Sequence, residues 1–111
     1  MKKLLIVLVT LLAFAGVAWG DSYEALTVDA TAGGVALTAS TYLRARYALC
    51  RLETAEIRFT KDGVTAPTAL VGVPMEPYEY ILLSNPNQIR NFRAFRTTGT
   101  SGVLQCTFCN D

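Results

Sequence analysis

The sequence predicts an all-β fold: a single antiparallel β-sandwich of about seven short strands, preceded by a cleavable signal-peptide helix. Three observations predict it. After residue 20 no long stretch repeats an apolar residue at helical spacing. Short runs instead alternate apolar and polar side chains with the period of two that a half-buried strand requires. Turn residues divide these runs at roughly the 8–12-residue intervals of a sandwich.

In order along the chain, Tyr23 to Val28 reads as the first strand and Val35 to Thr38 as the second, with Thr31-Ala-Gly-Gly34 as the turn between them. The segment Ser40 to Arg46 carries no clear pattern. Tyr47 to Glu53 is a strong strand, with Leu49, Arg51 and Glu53 on one face and Cys50 and Leu52 on the other. Glu56 to Thr60 follows, placing Ile57 and Phe59 opposite Arg58 and Thr60. Lys61-Asp62-Gly63 is the most explicit turn, because Gly supplies the positive φ of a tight reversal. Pro67 and Pro74 confine any strand between them to an irregular or edge position. Tyr78 to Leu83 is the next strand, Ser84-Asn-Pro-Asn87 breaks it, and Asn87 to Asn91 forms a helical turn. Phe92 to Thr97 alternates imperfectly, as two-sided burial or a bulge would produce, and Val103 to Phe108 closes the sandwich.

The first twenty residues do not belong to that domain. Lys2 and Lys3 precede an apolar stretch from Leu4 to Ala18, interrupted only by Thr10, and Ala18-Trp19-Gly20 offers small residues where a signal peptidase reads. The reading is a signal peptide over 1–20 and a domain over 21–111. An uncleaved anchor fits less well, since the stretch is shorter than the roughly 20 residues of a spanning helix. Membrane contact is therefore expected only through the signal before cleavage, and the protein is expected to be exported, periplasmic or extracellular. Without Lys2 and Lys3, 8 of the 10 basic residues remain against 9 acidic ones, a net charge of −1. That balance argues against a nucleic-acid partner.

Export makes a disulfide a useful supplement for a small core. Cys50 and Cys106 each lie in a strand on an apolar face, so they are expected to form a bridge joining the two sheets. Cys109 is then a free or intermolecular thiol. Cys106-Thr-Phe-Cys109 lacks the helix N-terminus of a redox pair, and no second pair or histidine makes it a zinc site. The absence of histidine also excludes Ser-His-Asp and Cys-His catalysis. The carboxylates Glu53, Glu56, Asp62, Glu76 and Glu79 suggest no facing pair in a cleft, and the expectation is no enzyme, no cofactor and no metal.

Arg90, Arg93 and Arg96 recur at spacing three among Phe92 and Phe95, and are expected to pair with Glu53, Glu56 or Glu79 on neighbouring strands. Tyr78 and Tyr80 share a strand face, as a sugar-binding platform would. Tyr78, Tyr80, Arg90 and Arg96 are the candidate binding surface.

The stretch from Glu53 to Phe108 resembles a group of small β-sandwich proteins encoded by tailed bacteriophages. The residues are E-T-A-E-I-R-F-T-K-D-G with P-T beyond, then I-L-L-S, then I-R-N-F-R-A-F-R-T-T-G-T-S-G-V-L-Q-C-T-F. Ile57 to Thr68 is similar, with one extra residue between Gly63 and Pro67, to the I-x-Y-T-x-D-G-x-x-P-T signature of Ig-like modules appended to chitin- and hexosamine-processing enzymes. Both resemblances imply an Ig-like sandwich without catalytic residues. The first implies a structural, decoration or interaction protein of the virion, or of the infected host's envelope, acting as a possible homo-oligomer. The second implies a secreted module that binds surface glycan.

Overall fold

The computed structural model describes residues 21–110, and the signal peptide expected over 1–20 lies outside them. Eight strands form two four-stranded antiparallel sheets. The strands are β1 (Ser22–Val28), β2 (Val35–Ala36), β3 (Tyr47–Glu53), β4 (Ile57–Thr60), β5 (Val73–Met75), β6 (Tyr80–Leu83), β7 (Arg93–Arg96) and β8 (Gly102–Cys109). Two short helices interrupt them, α1 (Ala39–Tyr42) and α2 (Pro86–Asn91).

One sheet runs β1-β8-β3-β6 and the other β2-β7-β4-β5. Four of the pairings nest inside one another: β1 with β8, β2 with β7, β3 with β6 and β4 with β5. The chain is thus one long antiparallel ribbon, turned back between β4 and β5 and rolled so that its strands fall alternately into the two sheets. The expected antiparallel sandwich is present, and this connectivity is that of an eight-stranded jelly roll. The count exceeds seven because the proline-punctuated stretch does contribute a strand. That strand, β5, carries Pro74 and occupies the sheet edge, where a missing N–H breaks no ladder.

Alternation decides what is buried. In β3, Ala48, Cys50 and Leu52 are fully buried while Tyr47 and Leu49 are exposed. In β8, Leu104, Cys106 and Phe108 point inward. Ile57 and Phe59 of β4 meet them from the opposite sheet, and Phe59 stacks on Phe92 with ring centroids 5.8 Å apart. The imperfect alternation around Phe92 has a simple cause: Phe92 is the C-cap of α2 and not a strand residue, and it is fully buried beside Ala94.

Helix α2 begins at Pro86, one residue before the expected turn. The Asn85 side chain accepts a hydrogen bond from the Gln88 N–H at 2.9 Å, and Pro86 occupies the first turn, where no N–H is required. Its inward residue, Ile89, is 1% exposed. Helix α1 occupies the patternless segment. The Glu24 carboxylate of β1 accepts from the Thr38 N–H and hydroxyl at 3.0 and 2.6 Å, which ties the start of α1 to the first strand.

Candidate functional site

The outer face of the β1-β8-β3-β6 sheet is unusually apolar for a surface left uncovered in this chain. Register aligns its side chains in rows. Tyr23, Thr107, Leu49 and Leu82 form one row across all four strands. Ala25, Gln105, Arg51 and Tyr80 form the next. Tyr23, Leu49, Leu82 and Tyr80 are 59%, 44%, 52% and 63% exposed. With strands about 4.8 Å apart, each row spans about 14 Å. Arg51 and Glu53 carry the charge of this face. The outer face of the other sheet presents Arg58, Thr60, Ala36 and Arg93, with the partly exposed Phe95 opposite Arg58.

Arg51 is the centre of the face. Its guanidinium carbon lies 5.2 Å from the centroid of the Tyr78 ring and 5.6 Å from that of Tyr80, within cation–π range. Tyr80 reaches it as the directly opposed residue on β6. Tyr78 reaches it differently. Leu52 accepts from the Tyr78 N–H at 2.7 Å and donates to the Glu79 carbonyl at 3.0 Å, so two residues oppose one, as in a β-bulge. Tyr78 stands at φ +73° as the third residue of the Glu76–Glu79 turn, which the Glu79 N–H closes by donating to the Glu76 carbonyl at 3.2 Å. Tyr78 is therefore not in β6, as expected, but the two rings do share a site, because they flank the same cation.

Among the described residues no carboxylate pairs with Arg51. The neighbouring acid, Glu53, accepts instead from Gln105 Nε2 at 3.1 Å. Arg51 Nε and Gln105 Oε1, on directly opposed residues, are both buried without a hydrogen-bond partner.

Behind this face, Cys50 and Cys106 form a disulfide. The pairing is as expected but its position is not. The two cysteines are directly opposed on the adjacent strands β3 and β8, with Cα atoms 4.1 Å apart, so the bridge lies within one sheet and does not join the two. Both sulfurs are on the core side, and the bridge fixes the central strands of the candidate face. Cys109 remains a partly exposed free thiol. On a strand, a spacing of three turns Cys106 and Cys109 to opposite faces, so the C-x-x-C spelling brings no pair together.

The arginine run is divided. Arg90 lies on α2 and its guanidinium donates to Asn87 Oδ1. Arg93 Nη1 donates to the carbonyls of Arg90 and Phe92 at 3.0 and 2.7 Å. Arg96 Nη1 reaches Ser101 Oγ at 3.4 Å. None pairs with Glu53, Glu56 or Glu79: Arg90 is not on a strand, Arg93 turns to backbone carbonyls, Glu53 lies in the other sheet, and Glu56, beside β7, is met by Thr97. Arg90 and Arg96 therefore do not join Tyr78 and Tyr80 in one surface. Arg90 borders a separate hollow of about 280 Å³ between α1 and α2, lined by Ala39, Tyr42, Leu43, Ala45 and Pro86.

Two carboxyls do meet. A hydrogen bond between Glu56 and Glu76 raises the Glu76 carboxyl above its ordinary value, with burial and the charges of Glu56 and Glu79 adding to it. The same bond, with help from Thr97, lowers Glu56. The pair lies at the surface beside Glu79, whose carboxylate accepts from the Glu76 N–H at 2.6 Å, and it lacks the enclosing cleft of a glycosidase. Among the described residues no group of three or more His, Cys, Asp or Glu side chains could hold a metal ion. Asp62 is explained by its turn: it accepts from the Val64 and Thr65 N–H groups and the Thr65 hydroxyl.

Sequence reasoning missed Arg51 as a site residue. Its only signal was its place between Leu49 and Glu53 on the outward side of β3. No family model matches the chain, no curated protein matches it, and no solved structure matches it.

Proposed function

We propose that this is a non-enzymatic exported interaction protein, a phage-derived structural or decoration component of the virion or of the infected host's envelope. It docks on a protein partner through the outer face of the β1-β8-β3-β6 sheet. The observation that carries this reading is the row Tyr23, Thr107, Leu49 and Leu82, an apolar band with no charge that crosses the whole sheet in solvent. Contiguous exposed apolar surface of this kind marks interaction sites. The resemblance of Phe92 to Leu104 to bacteriophage β-sandwich proteins supports the source. The jelly-roll order supports it at the level of fold analogy, since that architecture recurs in viral capsid and lectin domains. The buried disulfide is compatible with export, and no helix of the described residues is long and apolar enough to cross a membrane.

The test is peptide mass spectrometry on purified virions beside the envelope and secreted fractions of the infected host. Peptides beginning at Asp21 in virions or envelope support the proposal. Peptides confined to the cytoplasm, beginning at Met1 or Lys2, contradict it.

A second reading, a secreted glycan- or envelope-binding module, is favoured by one specific observation: two exposed tyrosine rings gathered on a single guanidinium.

A further inference from the structure

We propose that Arg51, Tyr78 and Tyr80 form a binding site for a carboxylate-bearing sugar. This inference rests on the glycan reading and names its ligand class. Four features carry it. Arg51 is a permanently charged, planar fork of donors, suited to hold a carboxylate through two parallel hydrogen bonds. It has no carboxylate partner among the described residues, and its nearest acid in register on the same strand, Glu53, is engaged by Gln105. Its Nε is buried without a hydrogen-bond partner, and its guanidinium is held against the rings of Tyr78 and Tyr80. The rings of Tyr78 and Tyr80, 68% and 63% exposed, offer apolar faces for the C–H surface of a pyranose.

The Glu76–Glu79 turn, with Pro77 second and Tyr78 third at φ +73°, sets a second ring against the guanidinium already met by Tyr80.

Binding is measured by titration calorimetry of the disulfide-bonded protein with uronate and N-acetylmuramate oligosaccharides, each beside its carboxyl-methyl-ester form, and with a short polyglutamate peptide. The expected result is binding of at least one acid sugar, weakened at least tenfold by esterification. Arg51→Met and Tyr80→Ala each lose tenfold or more, Arg51→Lys retains part of the affinity, and Arg90→Met is unchanged. Circular dichroism and denaturation midpoints establish that the variants are folded. Equal binding of acid and ester, undiminished in Arg51→Met, overturns the acidic assignment while the glycan reading stands. Binding to polyglutamate alone overturns the sugar and leaves a protein acid as the ligand. Binding to none of these probes overturns both the inference and the glycan reading, and leaves the protein-docking reading untouched.

Discussion

The Arg51 guanidinium carbon lies 5.6 Å from the centroid of the Tyr80 ring, its directly opposed neighbour across the β3–β6 pair. The contact is at the surface, where a cation–π pair is worth about 0.5–1 kcal/mol. Tyr80→Ala is therefore expected to lower stability by no more than about 1 kcal/mol in urea denaturation, while affecting binding strongly. A loss of several kcal/mol would make the pair a structural element and not a recognition one.

The Cys50–Cys106 bridge ties residues 56 apart in sequence. Reduction is expected to lower stability by about 2–4 kcal/mol, chiefly by freeing the unfolded chain. Thiol labelling of the unfolded, unreduced protein should modify Cys109 alone, and reduction should raise the number of labelled sites to three. Three labelled sites without reductant would remove the bridge from the account.

Gly102 opens β8 against Ile57 of β4 and the Ala55 carbonyl. An added Cβ would stand 2.7 Å from Ile57 Cγ2 and 2.8 Å from the Ala55 carbonyl oxygen. The backbone oxygen cannot turn aside, so Gly102→Ala is expected to cost about 1–3 kcal/mol by overpacking. Gly99→Ala is the control, since nothing lies within 4 Å of its added Cβ. Equal effects of the two would contradict the packing at the β4–β8 contact.

Acid titration separates two carboxyl sites. Hydrogen bonds from the Val64 N–H, the Thr65 hydroxyl and the Thr65 N–H lower Asp62 to about 2, against an ordinary 3.8. Its contribution to stability is present above the ordinary value and is lost as pH falls toward 2. The Glu56–Glu76 pair acts on both sides of its ordinary value of 4.5. Its contribution is lost as pH falls through the lowered value of Glu56, and lost again as pH rises through the raised value of Glu76. Glu76→Gln is expected to abolish the second loss, and Asp62→Asn to flatten the acid limb. Denaturation midpoints across pH 2–7 check both. A Glu76→Gln profile that overlays the wild type would contradict the Glu56–Glu76 interaction.

Much of the fold is legible in local chemistry. The bounds of β3 follow from alternation alone and the edge position of β5 from Pro74, while the Asn85 cap and Pro86 start α2 one residue before the turn expected from Asn87. What local pattern does not carry is pairing between distant strands. Arg51 and Tyr80 are 29 residues apart, and only the β3–β6 register makes them neighbours. For the same reason the sequence places Cys50 and Cys106 on apolar faces without saying that both faces belong to one sheet. Tyr78 leaves the expected strand because the Glu76–Glu79 turn claims it, and only its N–H bond to Leu52, far away along the chain, returns it to the sheet. The arginine triplet misleads in the opposite way: regular spacing suggests one surface, yet the helix-to-strand boundary at Phe92 splits it.

The central claim is that the outer face of the β1-β8-β3-β6 sheet is the docking surface. The most direct measurement is site-specific photo-crosslinking in infected cells, with the photoreactive residue at Leu49 or Leu82 on that face and at Ala36 or Thr60 on the other sheet. The account predicts discrete adducts from Leu49 and Leu82 with one virion or envelope component, and none from Ala36 or Thr60. Adducts from Ala36 and Thr60 with Leu49 and Leu82 silent would contradict it and move the binding surface to the opposite sheet.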